Sequence, residues 1–180
     1  MILRGPRVSI RPVAYDDLPL LCRWWNDPTV MKEVRAEKLK PSLEQIREQA
    51  WPVWRDPSPS QYHEFIICCN NTPIGEIGYV FGNVEKGIVS VDIKIGEPSL
   101  WGQGLGTEAM RVFVNYLFSQ ENIFHITAQP GEWNKRSIRI FEKLGFVETS
   151  REMVAANDYL DGGVGITMVI DRGHFKLLPK

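Results

Sequence analysis

Three glycines at alternate positions, Gly102, Gly104 and Gly106, lie directly before a helical pattern and form the strongest candidate ligand site in this chain. Glycine tolerates left-handed backbone angles and leaves successive N–H groups bare. These groups add to the unpaired donors and the positive dipole of the helix that follows. The stretch therefore predicts a cradle for a pyrophosphate-like anion, although the triplet alone also fits a glycine-rich connection that binds nothing.

The spacing of these glycines excludes two common phosphate-binding loops. A dinucleotide-binding turn requires G-x-G-x-x-G, and the third glycine position counted from Gly102 is Thr107. A P-loop requires a G-K-S/T string, which the chain does not contain. Neither of these nucleotide-binding classes accounts for the loop.

A strand before the loop and a helix after it must position these glycines. A run of β-branched residues over 88–95 predicts the strand, which Gly96 and Pro98 end. After the loop, apolar residues at the spacing of one helical face predict an amphipathic helix. That face consists of Met110, Phe113, Val114, Leu117 and Phe118.

A second motif, NKRSIRIFEKLGF, runs from Asn134 to Phe146. Together with WGQGLGT at 101–107, it resembles the two signature blocks of the GCN5-related N-acetyltransferase (GNAT) superfamily. Those blocks are the acyl-CoA pyrophosphate loop, R/Q-x-x-G-x-G/A, and the helix N-x-x-S/A-x-x-x-Y/F-x-K-x-G-F. Both stand in the family's order and at its usual separation, so the resemblance covers residues 88–146 well and the whole chain loosely. It implies a single N-acetyltransferase domain over residues 1–180, with acetyl-CoA as cosubstrate and no metal.

This resemblance also implies where acetyl-CoA binds. The strand at 88–95 is expected to diverge from its neighbour at 123–128, so that the pantetheine arm enters the gap and a backbone N–H faces the developing oxyanion. Asn134 is expected to hydrogen-bond the pantetheine arm, a role compatible with capping its own helix. The residues implied for acetyl-CoA are Ile93, Lys94, Ile95, Trp101, Gly102, Gln103, Gly104, Leu105, Gly106, Thr107, Asn134, Ser137 and Phe141.

The chain departs from the family pattern at two positions. Trp101 stands where the loop usually has Arg or Gln, so we expect weaker charge complementarity, with backbone N–H groups still holding the phosphates. Phe141 aligns with the tyrosine that many members use as general acid, and it carries no proton to give. A thiol of pKa about 8.5 is already a tolerable leaving group, so water or another residue can protonate it. Tyr116 and Tyr159 are the nearest candidates along the chain.

Asp92 is the candidate general base. It lies ten residues before Gly102, the spacing at which the similar aminoglycoside 6′-N-acetyltransferases carry an aspartate beside the reacting amine. The resemblance implies that this carboxylate holds an ammonium and accepts its proton. Strand alternation places Asp92 on the face opposite Val91 and Ile93, so a solvent-facing aspartate without a role is the alternative. Glu97 is a second, weaker carboxylate candidate.

The acceptor amine is less sharply defined. The stretches at 8–27 and 64–80 resemble aminoglycoside 6′-N-acetyltransferases, and WGQGLGTEA is also similar to enzymes that acetylate ribosomal-protein N-termini. An aminoglycoside site needs several carboxylates, and the turn at 83–87 offers only Glu85 beside Lys86, so the acidic lining is expected to be thin. An aminoglycoside-type amine is the first interpretation, and a protein N-terminus or another small amine is the second. A non-catalytic acetyl-CoA-binding module is a third, suggested by the missing tyrosine.

Composition favours one globular enzyme domain with a small-molecule amine as its partner. The 180 residues are 43% hydrophobic and 24% charged, and the net charge of −1 favours neither nucleic acid nor an anionic membrane. The chain has no apolar run of transmembrane length and begins without a signal-peptide pattern, so we expect a cytoplasmic protein. We expect it to be a monomer or a homodimer. The three cysteines show no metal-ligand spacing and are expected to be reduced.

Capping and breaker residues predict the N-terminal helices. A first helix ends near Asn26, where Asp27-Pro28 stops it, and residues 29–41 are expected to be irregular. Ser42 with Gln45 forms a capping box that starts a second helix. Pro52 is expected to kink or close that helix. Four tryptophans of these helices are expected in the core, with one or two available to line the acceptor cleft: Trp24, Trp25, Trp51 and Trp54.

Alternating apolar runs bounded by turn residues predict the strands at 8–13, 64–69, 74–81, 88–95, 123–128, 147–154 and 164–170. The resulting order, β-α-α-β-β-β-α-β-α-β-β, is that of a GNAT domain. We therefore expect an α/β (α+β) fold with a mixed central sheet of about seven strands, helices on both faces and a splayed central strand pair.

Overall fold

The computed structural model describes residues 2–56, 58–157 and 161–175. Within these ranges one mixed sheet has the strand order β1-β2-β3-β4-β5-β6-β8-β7. Every neighbouring pair is antiparallel except β5 and β6, which run parallel. The strands are β1 Leu3–Arg4, β2 Val8–Pro12, β3 His63–Cys69, β4 Thr72–Asn83, β5 Ile88–Ile95, β6 His125–Ala128, β7 Val147–Val154 and β8 Gly163–Asp171.

Helices cover both faces of this sheet. They are α1 Leu18–Asn26, α2 Pro28–Glu33, α3 Leu43–Gln45, α4 Trp51–Arg55, α5 Leu105–Ser119 and α6 Lys135–Leu144. The expected element order and mixed sheet are confirmed, with one additional strand, β1, at the sheet edge. A two-residue strand is too short to produce a sequence pattern.

Helix α2 corrects the expectation that residues 29–41 are irregular. The Asp27 carboxylate accepts hydrogen bonds from the N–H groups of Thr29 at 2.8 Å and Val30 at 3.3 Å. Pro28 then occupies the first turn, where its missing N–H costs nothing. An Asp-Pro pair can therefore start a helix as well as end one, and at this position it does both.

The second N-terminal helix passes through Pro52 instead of stopping there. Its capping box forms as expected, since the Ser42 hydroxyl accepts from the Gln45 N–H at 3.1 Å and the Gln45 side chain accepts from the Ser42 N–H at 2.8 Å. A π turn over Ile46–Ala50 then separates α3 from α4. Because proline has no N–H to donate, the widened turn lets the chain continue helically around it.

The sheet separates two hydrophobic clusters. On one face, α5 packs its predicted apolar stripe, including Met110 and Phe113, against buried strand residues such as Val89 and Val91. On the other face, α1 and the segment after Ser42 pack Leu18, Leu21, Trp24 and Ile46 against Ile66 and Cys68. Residues that alternate along β3, β4 and β5 therefore face either the α5 cluster or the N-terminal helices.

The parallel pair β5 and β6 diverges soon after it forms, which confirms the expected splayed strands. The two strands pair only through Ile88–His125, Val89–Ile126 and Ser90–Thr127. Beyond Ser90, β5 continues to Ile95, whereas β6 ends at Ala128. We call the resulting gap beside residues 91–95 of β5 the seam.

Two features that the described ranges lack bear on other functional classes. None of the helices within them is both long and apolar enough to cross a membrane. Across the same ranges, no three His, Cys, Asp or Glu side chains come together in a group that could hold a metal ion.

Candidate active site

A cleft of about 350 Å³ opens at the seam and continues to the N-terminus of α5. It is bordered by the end of β5, the glycine loop and the first turns of α6. Of the residues implied for acetyl-CoA, all except Gln103 and Phe141 line it. The Gln103 side chain instead turns away and donates a hydrogen bond to the Ser99 carbonyl at 3.1 Å.

The glycine loop has the backbone geometry that its sequence predicts. Gly102 and Gly104 have φ angles of +78° and +81°, in the left-handed region that other residues rarely adopt. Gly104 is the N-cap of α5, and its carbonyl accepts the first helical bond from the Glu108 N–H at 3.0 Å. The N–H groups of residues 105–107 have no acceptor within the helix, and these residues line the end of the cleft, where an anion can bind.

Trp101 fixes the loop to the end of β5. Its indole Nε1 donates to the Ile95 carbonyl at 2.8 Å. The Arg136 guanidinium lies 4.6 Å from the centroid of the Trp101 ring and forms an ion pair with Glu33 at 2.8 Å. Arg136 also lines the cleft. A guanidinium therefore reaches the Trp101 position from α6, a contact that no spacing rule in the sequence indicates.

The seam edge of β5 presents backbone groups that no described strand uses. The Gly96 N–H donates to the Ile74 carbonyl of β4 at 2.9 Å. Because successive residues of a strand direct their N–H and C=O groups to opposite sides, Ile93 and Ile95 direct theirs into the seam. Trp101 occupies the Ile95 carbonyl, which leaves both groups of Ile93 and the N–H of Ile95 for a ligand.

Asn134 and Phe141 border the inner part of the seam. Asn134 caps α6 by accepting from the Ser137 N–H at 3.0 Å. A second cavity of about 210 Å³ adjoins the cleft and is lined by Asp92, Ile93, Asn134, Ser137 and Phe141. Phe141 is 2% exposed and packs on Phe146, so the ring fills the wall of this cavity without offering a proton.

Of the two candidate proton donors, one lies away from this cavity and the other lies outside the described residues. Tyr116 lies on α5 and packs against Phe113 in the cluster on that face of the sheet. Tyr159 lies outside the described residues. Glu97, the second carboxylate candidate, accepts a hydrogen bond from Trp24 Nε1 at 2.9 Å and forms an ion pair with Arg23, so its charge is already paired.

Asp92 lies at the centre of a group of ionisable side chains on the face toward the N-terminal helices. The strand register places Gly78 opposite Asp92 and Glu76 opposite Lys94. On the next strand, Glu64 lies opposite Gly78. Glu64, Glu76 and Asp92 therefore share one sheet face, and we call these three residues the carboxylate cluster.

Glu76 is the best-bonded member of the carboxylate cluster. It accepts from Lys94 Nζ at 2.5 Å and from Trp25 Nε1 at 2.8 Å. The Lys94 ammonium also lies 5.3 Å from the Trp25 ring centroid. An ammonium held between a carboxylate and an aromatic face is thus already present in this wall of the cleft.

The environment shifts the pKa of Asp92 and Glu64 upward. Burial, reinforced by Glu76, raises the pKa of Asp92 to about 6, although a hydrogen bond from Tyr62 and the charge of Lys94 oppose this shift. The Asp92 side chain is nevertheless exposed to solvent and lines the second cavity, so it remains accessible to a ligand. Burial, followed by Glu76 and Asp92, raises the pKa of Glu64 well above its ordinary value, and Glu64 Oε1 has no hydrogen-bond partner among the residues that the structure describes.

The carboxylate cluster bears on the expectation of a thin acidic lining. Its residues come from β3, β4 and β5, not from the turn at 83–87, and Asp92 is the one of the three that lines a described cavity. Sequence reasoning missed Glu64 and Glu76, and it also missed Tyr62, which donates to Asp92 at 2.7 Å. The available signal was a glutamate inside each of two otherwise apolar strands, because an acidic residue in such a position is rarely left without a partner or a role.

Fold, seam and loop together define the class of protein. Residues 7–147 match the acetyltransferase (GNAT) domain, so the chain belongs to the GNAT family of acetyltransferases. It is therefore an acyltransferase whose acetyl donor is acetyl-CoA. The bare N–H groups in the first turn of α5, the open edge of β5 and Arg136 fit the pyrophosphate and pantetheine parts of that donor.

Particular relatives lie in the aminoglycoside branch and elsewhere. The aminoglycoside N(6′)-acetyltransferase type 1 of Klebsiella pneumoniae is 29% identical over 150 residues, which span 77% of this chain and 73% of that protein. The N-acetyltransferase 9-like protein of Nematostella vectensis is 24% identical over 167 residues, or 84% and 80% of the two chains. Among solved structures, AAC(6′)-Ib in complex with ribostamycin and coenzyme A has a TM-score of 0.79 at 26% identity, covering 93% of this chain and 94% of that one.

Proposed function

We propose that this enzyme acetylates a primary amine of a small polycationic acceptor, of the aminoglycoside type, by direct attack with both substrates bound. The Asp92 carboxylate beside the seam carries this proposal. Asp92 lines the cavity that adjoins the acetyl-CoA cleft, and Glu64 and Glu76 lie on the same sheet face. Because Glu76 is paired with Lys94, Asp92 is the member of the cluster that is positioned to attract an acceptor ammonium.

Acetyl-CoA is proposed to lie along the seam. The N–H groups in the first turn of α5 and the Arg136 guanidinium would hold the pyrophosphate, and Ile93 and Ile95 would hydrogen-bond the pantetheine arm as a neighbouring strand does. Asn134 lines both cavities and is close to the same path. The thioester then lies near Asp92, because the cavity that contains Asp92 adjoins this cleft.

Asp92 is proposed as the general base. With a pKa of about 6, its carboxylate is ionised at neutral pH, where it can bind the acceptor ammonium and take a proton from it. The amine nitrogen bonds to the thioester carbonyl carbon as the C–S bond breaks. The ammonium loses its first proton to Asp92, which passes it to water, before the nitrogen attacks. The nitrogen then loses its second proton to Asp92 as the amide forms, and the departing thiolate takes a proton from water, since Phe141 has none to give.

The second candidate function is acetylation of a peptide N-terminus or another small amine. The Trp25 and Trp54 rings meet edge to face at 5.9 Å beside the cluster, and such an aromatic wall also suits a peptide. The two acceptor classes differ in charge, because a peptide N-terminus presents one ammonium and an aminoglycoside presents several. The similarity to the aminoglycoside N(6′)-acetyltransferase supports the first candidate.

The experiment is a free-thiol assay of acetyl-CoA consumption with aminoglycosides, polyamines and short peptides as acceptors. We expect turnover with aminoglycosides, and a loss of about 10²–10⁴-fold in Asp92→Asn at pH 7.5. Asp171→Asn is the matched control, since Asp171 pairs with His125 at the far end of β6 and should leave the rate unchanged. Turnover with peptides alone would assign the enzyme to the second function. Acetyl-CoA binding without turnover of any amine would contradict both.

A further inference from the structure

Tyr62 and Gly78 form a contact with Asp92 that the proposed chemistry does not yet use. Tyr62 directly precedes β3, and its hydroxyl donates to Asp92 Oδ2 at 2.7 Å. The hydroxyl lies over Gly78, where an added Cβ would fall 2.1 Å from it. Gly78 stands between Glu64 on one neighbouring strand and Asp92 on the other. The tyrosine hydroxyl therefore occupies the space that a side chain at position 78 would fill.

We propose that Tyr62 is a positioning residue for acetyl transfer, whose hydroxyl fixes the Asp92 carboxylate in the cleft and keeps it ionised, and that Gly78 is required to admit that hydroxyl. This inference rests on the proposed role of Asp92 as the base. With Oδ2 held by Tyr62, Oδ1 is left to receive the proton of the acceptor amine. An oriented carboxylate removes rotational freedom that the reaction would otherwise have to restrict.

The charged and titratable groups around Asp92 act in opposite directions. Glu76 raises the pKa of Asp92, whereas Tyr62 and Lys94 lower it. Trp25 of α1 reaches the same wall as a neutral donor to Glu76. Burial, followed by the charge of Asp92, raises the pKa of Tyr62 well above 10, so the phenol stays protonated and donates over the whole range in which an enzyme works.

The tyrosine proton is directed to Asp92 and not to Glu64, because the Tyr62 hydroxyl donates to Asp92 Oδ2. The Glu64 side chain is 7% exposed, and burial raises its pKa well above the ordinary value. Burial therefore disfavours the charged form of Glu64 as a competing acceptor. A hydrogen bond to a charged oxygen is about twice as strong as one to a neutral oxygen.

Tyr62→Phe tests this role through the pH dependence of kcat/KM. Loss of a hydrogen bond to a carboxylate corresponds to a pKa rise of about one unit, so the acid limb should move from about pH 6 to about pH 7. Because the base works deprotonated, the rate at pH 6 should fall about fivefold, and the rate at pH 8.5 should be unchanged. A purely structural role for the ring would lower the rate by the same factor at every pH.

Gly78→Ala provides an independent test, because its methyl group displaces the hydroxyl while Tyr62 itself remains. We expect the same shift of the acid limb in this variant and no further shift when the two substitutions are combined. Tyr79→Phe is the matched control. It removes a hydroxyl from the adjacent residue, which packs with Phe65 on the opposite face of the sheet, and should leave the acid limb at about pH 6.

Direct titration of the Asp92 carboxyl by carbon-13 NMR separates this inference from the proposed function. If no amine is acetylated, or if Asp92→Asn keeps full activity, the proposed base is wrong, yet the Asp92 pKa in Tyr62→Phe can still be measured. A rise of about one unit would retain the Tyr62–Asp92 contact as a structural finding only. An unchanged acid limb and unchanged Asp92 titration in both Tyr62→Phe and Gly78→Ala would overturn the inference, even where Asp92→Asn abolishes turnover.

Discussion

Replacement of Glu76 by glutamine tests the buried ion pair that forms one wall of the cleft. Glu76 is 5% exposed and accepts from Lys94 Nζ at 2.5 Å, and Lys94 is 19% exposed. The amide keeps an acceptor oxygen for Trp25 but carries no charge, so the ammonium loses its counterion. Removing one partner of a buried pair costs about 3–5 kcal/mol, and the partial exposure of Lys94 places this change near the lower figure, about 3 kcal/mol.

The measurement is thermal unfolding followed by circular dichroism at pH 7.5. In a domain of this size each kcal/mol lowers the midpoint by about 2–4 °C, so Glu76→Gln should lower it by about 6–12 °C. Glu76 raises the pKa of Lys94 above 10.5 in spite of its burial, so the ammonium is charged throughout the assay. Glu148→Gln is the matched control, because it breaks an exposed pair with Arg151 and should leave the midpoint nearly unchanged.

A double variant distinguishes loss of charge pairing from loss of packing. Glu76→Gln combined with Lys94→Met removes the unpaired ammonium and should recover more than half of the lost stability. The reasoning would be refuted if the single variant lowered the midpoint by less than about 2 °C, or if the double variant were no more stable than the single one. In the active enzyme, Glu76→Gln should also move the acid limb of Asp92 to lower pH, opposite in sign to Tyr62→Phe.

Two further predictions concern the acetyl-CoA side of the site. Arg136→Ala removes the cation stacked on Trp101 and should weaken coenzyme A binding, measured by calorimetry, about tenfold. Lys135→Ala is the control, since Lys135 is one residue earlier and outside the cleft lining, and it should not weaken binding. Equal affinities of the two variants would contradict the proposed phosphate contact. Asn134→Ala removes the cap that accepts from the Ser137 N–H and should lower the free energy of unfolding, measured in urea, by about 1 kcal/mol. Asn134→Ser should retain most of that stability. An unchanged midpoint in the alanine variant would show that the cap contributes nothing.

The parts of the fold that were predictable are those specified by local sequence. The apolar stripe of α5, the glycine loop and the α6 cap each lie within about a dozen residues, so spacing alone identifies them. Helix α2 was missed because Asp27-Pro28 was interpreted only as the end of the previous helix. The same dipeptide satisfies the cap and first-turn preferences of a new helix, and local rules do not exclude either use.

The carboxylate cluster could not be predicted because it depends on the register between strands. Glu64, Glu76 and Asp92 share a face only for the observed pairing of β3, β4 and β5, and a slip of one residue in any pair would reverse which side chains meet. Tyr62 lies just before a strand in a segment without periodicity. Arg136 reaches Trp101 through the packing of α6 beside the loop, which is a tertiary contact.

Because β5 and β6 pair over only a few residues, the sheet is divided mechanically into two parts. Strands β1–β5 form one piece and β6, β8 and β7 the other, and three residue pairs join them. A cosubstrate hydrogen-bonded to Ile93 and Ile95 would lengthen this joint between the two parts of the sheet. Binding should therefore protect the amides along the joint from hydrogen exchange and raise the stability of the whole sheet. Departure of the product would return the joint to its short form, so the rigidity of this enzyme would rise and fall once in each catalytic cycle.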